Sequence, residues 1–185
     1  KLSGTIPTTI GYLSSLIYLY LYNNNLSGTI PTEIGYMKSS IYYLYLNNNK
    51  LSGTIPMSIG YLTSLYMLYL NNNKLSGNIP TTIGYLTFLR YLYLNNNILS
   101  GTIPTAIGYL TSLRYLYLYS NSLTGTVPSQ LCLLTKLAYV SIYHNNTMAC
   151  SSVCTKGDTA FCISGIIELY KLGLFKFKSP YKFPQ

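Results

Sequence analysis

The sequence predicts an α/β solenoid, in which the chain is wound into stacked coils that each carry one short parallel strand. The first observation is a repeat: Leu51, Leu75 and Leu99 each precede Ser-Gly and stand 24 residues apart. A fixed period of this length is the sequence signature of a solenoid. One coil, from Leu26 to Leu51, is a residue longer, and the extra residue lies near Lys38. The second observation is that a single coil has too many leucines and isoleucines to bury alone, so the core forms only when coils stack.

Three segments follow one another within each coil. Residues 75–80 (LSGNIP) open one of them, and residues 81–86 have the spacing of a short helical or 3₁₀ turn. In residues 89–97, Leu92 and Leu94 alternate with tyrosines. This alternation predicts a strand that points its leucines into the core and its tyrosines away from it.

Together the segments form one repeated pattern over about residues 1–146. The strand part reads L-x-x-L-x-L-x-x-N-x-L, and the opening part reads L-S-G-x-I-P-x-x-I-G-x-L. This pattern resembles the plant-type leucine-rich repeat. The resemblance implies a right-handed superhelix with a parallel concave sheet, 3₁₀ turns on the convex side, a second short strand at L-S-G-x-I-P and a disulfide-bearing C-terminal cap. It also implies one structural asparagine per coil that bonds to the backbone along the stack: Asn24, Asn49, Asn73, Asn97, Asn121 and Asn145.

Tyrosine replaces the polar residues that plant-type repeats usually carry on the exposed face of the strands. The candidate binding face consists of tyrosine columns and two arginines: Tyr18, Tyr20, Tyr43, Tyr45, Tyr69, Arg90, Tyr91, Tyr93, Arg114, Tyr115 and Tyr117. A further ladder follows each Ile-Gly pair: Tyr12, Tyr36, Tyr61, Tyr85 and Tyr109. Because neighbouring strands lie ~4.8 Å apart, we expect offset ring stacking along all of these columns. The rings then stiffen the sheet, form a binding surface or support oxidative Tyr–Tyr cross-linking.

A ladder of hydroxyl groups follows the second strand of the coils. Its members are Thr5, Thr29, Thr54, Thr102 and Thr126, and Asn78 interrupts it. The strand propensity of threonine is a sufficient explanation. Ice binding, which some plant-type repeat proteins perform, is the functional interpretation that the resemblance adds.

The cysteines indicate the compartment. All of them stand late in the chain: Cys132, Cys150, Cys154 and Cys162. An even, clustered set predicts two disulfides in an oxidising compartment, and three pairings are possible. A zinc site is the weaker alternative, because no second tight pair accompanies Cys150 and Cys154. Two sequons, at Asn25 and Asn145, would accept N-glycans in such a compartment. We therefore expect an extracellular protein, either secreted or at the cell surface.

The chain divides into a repeat array (1–146), a cysteine-containing C-terminal cap (147–162) and a basic, apolar tail (163–185). In the tail, apolar side chains alternate with lysines in a strand-like pattern: Leu172, Leu174, Phe175 and Phe177. We interpret this segment as an assembly tail that docks on another subunit, or as a strand packed on its own cap.

Composition argues against several classes of function. Only 8% of the 185 residues are charged, and the net charge is +9. The lysines and arginines form no basic stripe within a recognised nucleic-acid-binding motif. No apolar run reaches the ~20 residues of a membrane span. The acids Glu33, Asp158 and Glu168 and the single histidine, His144, form no catalytic constellation. We therefore expect neither an enzyme nor a cofactor.

Two functions of different classes fit these features. The first, which the monotonous columns and the tail favour, is a structural protein whose copies associate head-to-tail into a fibre. The second is a recognition module that binds a protein or a glycan on the tyrosine-rich concave face, with Arg90 and Arg114 as the most distinctive patch. Ice binding through the threonine ladder is the third and least favoured.

Overall fold

The computed structural model describes residues 1–38 and 40–142, and it has the predicted solenoid fold. Each coil contributes a strand, a turn and, in most coils, a second strand. In chain order the strands are β1 (Ser3–Thr5), β2 (Tyr18–Tyr20), β3 (Asn25–Ser27), β4 (Tyr43–Tyr45), β5 (Ser52–Thr54), β6 (Met67–Tyr69), β7 (Lys74–Gly77), β8 (Tyr91–Tyr93), β9 (Ile98–Leu99), β10 (Tyr115–Tyr117) and β11 (Tyr139–Ser141). The predicted 3₁₀ turns are also present, at Thr8–Tyr12, Thr32–Met37, Met57–Tyr61, Thr81–Tyr85, Thr105–Tyr109 and Ser129–Leu133.

The main sheet is parallel and six-stranded, in the order β11-β10-β8-β6-β4-β2. Its register places equivalent residues of successive coils opposite each other, so that Leu92 pairs with Leu68 on one side and Leu116 on the other. The second strands are grouped as β1-β3 and β5-β7-β9. Backbone hydrogen bonds of 2.8 Å, from the N–H groups of Lys50 and Ser52 to the carbonyls of Leu26 and Gly28, join the two groups. The register of the main sheet brings the tyrosines of successive coils into straight columns.

The core consists of leucine and isoleucine columns between the main sheet and the turns. Leu44, Leu68, Leu92 and Leu116 are completely buried, and they belong to one cluster that runs through the whole stack. Because each coil supplies only one layer of this cluster, a coil is stable only between its neighbours.

The extra residue is accommodated outside the strands, near Lys38 as predicted. The turn Thr32–Met37 has six residues, whereas the other turns have five. Lys38 closes it at φ 40° and ψ −112°, where Leu62 closes the next turn at φ −79° and ψ 59°. The irregularity leaves the sheet in register, since Tyr18 still pairs with Tyr43.

Several predictions concern residues outside those that the structure describes. They are the cap (147–162), the assembly tail with Leu172, Leu174, Phe175 and Phe177, the last structural asparagine and sequon at Asn145, and the cysteines Cys150, Cys154 and Cys162. Cys132 lies in the turn Ser129–Leu133. Within residues 1–38 and 40–142, no helix has the length and apolar character needed to cross a membrane.

Candidate binding face

A continuous column of tyrosine rings forms the middle of the concave sheet. Its members are the last residues of successive strands: Tyr20, Tyr45, Tyr69, Tyr93 and Tyr117. Successive ring centroids lie 4.8, 4.5, 4.4 and 4.4 Å apart. The Tyr45–Tyr69 and Tyr69–Tyr93 pairs are stacked within 9° and 2° of parallel, whereas Tyr93 and Tyr117 meet edge to face. The predicted ring contacts therefore exist along this column.

A second column lies beside the first, at the start of each strand. Tyr18 stacks on Tyr43 at 5.1 Å, and Tyr91 stacks on Tyr115 at 5.0 Å. Met67 interrupts this column, and its sulfur accepts a hydrogen bond of 2.8 Å from the hydroxyl of a tyrosine in the first column. Stacking therefore stabilises each column internally, and the hydrogen bond to Met67 connects the two columns.

A third column was missing from the predicted site. Tyr42 stacks on Tyr66 at 5.1 Å, and the guanidinium of Arg90 lies 5.0 Å from the centre of the Tyr66 ring. This distance is that of a cation–π contact. Arg114 follows Arg90 on the next coil and is exposed. The sequence contains a signal for this column. The residue that precedes the strand is a tyrosine in two successive coils and an arginine in the next two.

The concave tyrosines are less exposed than the alternation alone suggests. Tyr18 and Tyr20, on the first coil, are about half exposed, whereas Tyr69, Tyr93 and Tyr115 are partly buried. Each ring is covered by the rings of the coils before and after it. The face therefore presents ring edges and hydroxyl groups more than open ring faces.

Mutual burial changes the acidity of the phenols. Burial raises the pKa of Tyr69 from 10.0 to about 12, although a hydrogen bond with the Tyr93 hydroxyl opposes the shift. Burial also raises the pKa of Tyr117 to about 12. The pKa of Tyr45 and that of Tyr93 rise further for the same reason, with neighbouring phenols adding to the effect. These side chains therefore stay neutral hydrogen-bonding groups throughout the physiological pH range.

We expect the fold to lose stability as pH rises from 10 to 12. Unfolded tyrosine ionises near 10.0, whereas Tyr69 and Tyr117 hold their protons to about 12. In this window the folded state binds more protons than the unfolded state. The resulting contribution to the free energy of unfolding is complete below pH 10 and is lost as pH approaches 12. Absorbance of tyrosinate, measured beside far-UV circular dichroism, should show a late component that shrinks in the Tyr69→Phe/Tyr117→Phe variant. A single titration midpoint near 10 in a fully folded protein would contradict the burial of these phenols.

The corner of each coil carries three functionally different asparagine positions. The side chain of Asn97 accepts a hydrogen bond from the Leu75 N–H at 2.9 Å and donates to the carbonyls of Leu70 and Leu94 at 3.1 and 3.0 Å. Equivalent bonds to backbone groups are made by Asn24, Asn49, Asn73 and Asn121. Each asparagine of this column thus links two successive coils, in the way the resemblance implies.

The position before it forms a surface ladder that the sequence analysis missed. Asn48 donates to the Asn23 carbonyl oxygen at 2.6 Å, Asn72 donates to Asn48, and Asn96 donates to Asn72 at 2.6 Å. All of them have positive φ between 54° and 57°, a conformation that asparagine tolerates better than most residues. The signal was the Asn-Asn-Asn triplet itself. One residue earlier, the side-chain oxygens of Asn47 and Asn71 are buried without a hydrogen-bond partner.

The ladder on the 3₁₀ turns does not stack, which corrects the prediction. Its rings are between 55% and 78% exposed: Tyr12, Tyr36, Tyr61, Tyr85 and Tyr109. Among the described residues, ring contacts join only tyrosines of the concave side. The physical reason is that ~4.8 Å is the spacing of hydrogen-bonded strands, and the convex turns have no such strands to hold their side chains in line.

The threonine ladder is exposed on the lateral face, including the interrupting Asn78. The methyl group of each threonine packs over the glycine of the next coil, as Thr29 does over Gly53. Asn25, the first sequon, lies on the same lateral side at the start of β3, and it is exposed.

Two models of one protein family match most of the chain. A family model described as a leucine-rich repeat region matches residues 40–172, and a leucine-rich repeat model matches residues 15–37. No curated protein sequence matches the chain.

Among solved structures, the chain is similar to receptor ectodomains of Arabidopsis thaliana. It is 38% identical to the ectodomain of the receptor kinase GASSHO1/SCHENGEN3, solved with CASPARIAN STRIP INTEGRITY FACTOR 2, with a TM-score of 0.76 over 78% of this chain and 17% of that one. It is 37% identical to the receptor kinase HAESA, solved with the peptide hormone IDA and the co-receptor SERK1, with a TM-score of 0.74 over 80% of this chain and 24% of that one.

A plant ice-binding protein is also similar. Its structure is 32% identical to the chain, with a TM-score of 0.70 over 78% of this chain and 54% of that one. The chain thus spans about a quarter or less of the two receptor ectodomains and about half of the ice-binding protein.

Proposed function

Because the chain belongs to the leucine-rich repeat family, whose fold is typically a non-enzymatic binding scaffold, we propose that it binds an extended peptide segment on its tyrosine-rich concave face. The segment is acidic and carries aromatic side chains. The observation that carries this proposal is the interlocked tyrosine surface with Arg90 and Arg114 at its side. The HAESA structure, which holds a peptide hormone, supports a peptide as the class of ligand.

Preorganisation makes the tyrosine surface suitable for binding. The rings of Tyr45, Tyr69 and Tyr93 are already held by stacking in the free protein. Immobilising a flexible side chain on association costs about 0.5–1.5 kcal/mol, and these rings have largely lost that freedom on folding. Tyrosine also combines a large apolar area with a hydroxyl group, and it is enriched among residues that dominate binding energy.

The charges favour an acidic partner. Arg90 lies on the Tyr66 ring, and Arg114 is exposed on the next coil. Among residues 1–38 and 40–142 the acid is Glu33, which lies in the turn Thr32–Met37 on the other side of the coil. Glu33 is therefore too far away to pair with either arginine, and a carboxylate of the partner would supply the missing charge.

A displayed library of random peptides tests the proposal. We expect the immobilised protein to enrich sequences that combine acidic and aromatic residues. Replacement of both arginines, Arg90→Ala with Arg114→Ala, should weaken binding of the enriched peptides by about tenfold and reduce its dependence on salt. Lys50→Ala with Lys74→Ala is the matched control, because those two exposed lysines lie on the opposite rim of successive coils. Equal losses in the two variants would reduce the patch to a general charge effect.

Assembly into a head-to-tail fibre competes with this proposal. It is tested on the same preparation by size-exclusion chromatography and negative-stain electron microscopy. Filaments of the purified protein would favour the fibre, and monodisperse particles would favour recognition. An extracellular location suits either function, and the even, clustered set of cysteines in the sequence supports it.

Ice binding is a second candidate, because the threonine ladder is exposed and the plant ice-binding protein has a similar structure. A thermal hysteresis assay tests it. The Thr54→Lys variant, which places a charged side chain in the middle of the ladder, should then lose the hysteresis activity that the Arg90→Ala/Arg114→Ala variant keeps. Absence of hysteresis in the unaltered protein would exclude this function.

A further inference from the structure

The tyrosines of the convex turns differ physically from those of the concave sheet. Each one directly follows the glycine of a 3₁₀ turn and is more than half exposed: Tyr12, Tyr36, Tyr61, Tyr85 and Tyr109. Their rings are free of the stacking contacts that hold the concave rings, as far as the described part of the chain extends. We refer to these five residues as the convex ladder.

Reaction at a phenol ring requires access and loss of the phenolic hydrogen. On the concave side, Tyr45 donates its hydrogen to the sulfur of Met67, and the hydroxyls of Tyr69 and Tyr93 are hydrogen-bonded to each other. Those rings also cover one another's faces. The side chains of the convex ladder are between 55% and 78% exposed, whereas Tyr69 and Tyr93 in the concave column are partly buried. An oxidant in solution therefore reaches the convex rings more readily than those concave rings.

We propose that the convex ladder is a site of oxidative coupling, at which tyrosines of two copies of this chain become covalently joined. Each phenol gives up one hydrogen atom, and a carbon–carbon bond forms between ring carbons ortho to the hydroxyls. The ring protons displaced at those carbons restore the two phenols. The oxidant is hydrogen peroxide acting through a haem peroxidase, and its reduction to two water molecules takes up the two hydrogen atoms.

A second copy is the partner that the geometry fits best. Both copies repeat their ladder tyrosines once per coil, so a coil of one copy that touches a coil of the other brings a tyrosine of each close to the contact. The turns at residues 57–64, 81–88 and 105–112 contain no charged residue. Phe88, which is 65% exposed, lies beside the ladder and adds apolar contact area. Charge repulsion is therefore weak where the two faces would meet.

The experiment compares three forms of the full-length protein, each treated with a haem peroxidase and hydrogen peroxide. In the convex variant the five ladder tyrosines are changed to phenylalanine. In the concave variant Tyr45, Tyr69, Tyr93 and Tyr117 are changed in the same way. The readouts are covalent dimers on denaturing gels, dityrosine fluorescence and mapping of cross-linked peptides by mass spectrometry. Circular dichroism confirms that both variants keep the fold of the parent.

We expect the unaltered protein and the concave variant to form dimers within about twofold of each other, and the convex variant to form about tenfold fewer, since phenylalanine lacks the reacting hydroxyl. The cross-linked peptides should contain the ladder residues. Dimers that persist in the convex variant, bonds that map to the concave tyrosines, or bonds confined within single molecules would each overturn the proposal. So would the absence of dimers in a mixture that oxidises N-acetyltyrosine.

Discussion

Asn97→Ala is expected to lower the free energy of unfolding by about 4 kcal/mol, because a buried group left without its hydrogen bond costs about 1–3 kcal/mol. The amide of Asn97 serves the N–H of Leu75 and the carbonyls of Leu70 and Leu94. Alanine can serve none of them. Since these groups join two successive coils, the variant should unfold with reduced cooperativity in urea, as followed by circular dichroism.

Asn71→Ala is the matched control for this experiment. Asn71 lies at the same corner one coil earlier, but its side-chain oxygen is buried without a partner. Removing an unsatisfied polar group is neutral or favourable, so this variant should match or slightly exceed the parent in stability. If both variants lost similar stability, the effect would come from the asparagine side chain as packing volume, and the hydrogen-bonded ladder would not be its cause.

Gly60→Ala is expected to cost about 3 kcal/mol, near the upper end of the usual range for overpacking. Gly60 lies in the turn Met57–Tyr61, and a Cβ there would be 2.6 Å from the Cβ of Thr82 and in conflict with the Thr82 carbonyl oxygen. The obstacle is backbone of the neighbouring coil, which cannot rotate away as a side chain can. The two coils must separate, and the separation alters the spacing of the tyrosines on the opposite face.

Met57→Ala provides the comparison, because Met57 lies in the same turn and is 62% exposed. Its replacement should change the free energy of unfolding by less than about 0.5 kcal/mol. Thermal melts of both variants in parallel measure the difference. A Gly60→Ala protein as stable as the parent would contradict the close packing of Gly60 against the backbone of Thr82.

The fold follows from the sequence because each coil repeats the same physical solution. The 24-residue spacing of Leu51, Leu75 and Leu99 predicts the solenoid, and the alternation around Leu92 predicts the strand and its inward face. Even the irregular coil is predictable, since one extra residue has to leave the strand register intact and therefore falls in the turn near Lys38.

The site is less predictable, because two side chains at equivalent positions of successive coils do not always touch. The spacing of residues placed both Tyr69 and Tyr61 in ladders, but strands hold the first against its neighbours whereas the turn leaves the second open. Contact across columns was also missed. The stacking of Arg90 on Tyr66 depends on the rotamers of both side chains. The rotamer of one restricts the rotamer of the other, because the two residues lie on adjacent coils.

The concave and convex sides would thus have different functions. On the concave side, tyrosines that stack, share hydrogen bonds and resist ionisation form a rigid surface suited to recognition. On the convex side, isolated and exposed phenols are suited to covalent chemistry between molecules. Both follow from the same residue type, and the backbone beneath it makes the difference.

Binding of library-selected peptides to two double variants tests the central claim most directly. One variant carries Tyr69→Ser and Tyr93→Ser on the concave face, where Ser141 occupies the equivalent position of β11 and shows that serine fits the strand. The other carries Tyr61→Ser and Tyr85→Ser on the convex ladder. We predict a loss of about tenfold or more in affinity for the first variant, as expected when central aromatic residues are removed from an interface, and no loss for the second. Unchanged affinity of the concave variant, or an equal loss in both, would contradict the assignment of the concave tyrosines as the binding face.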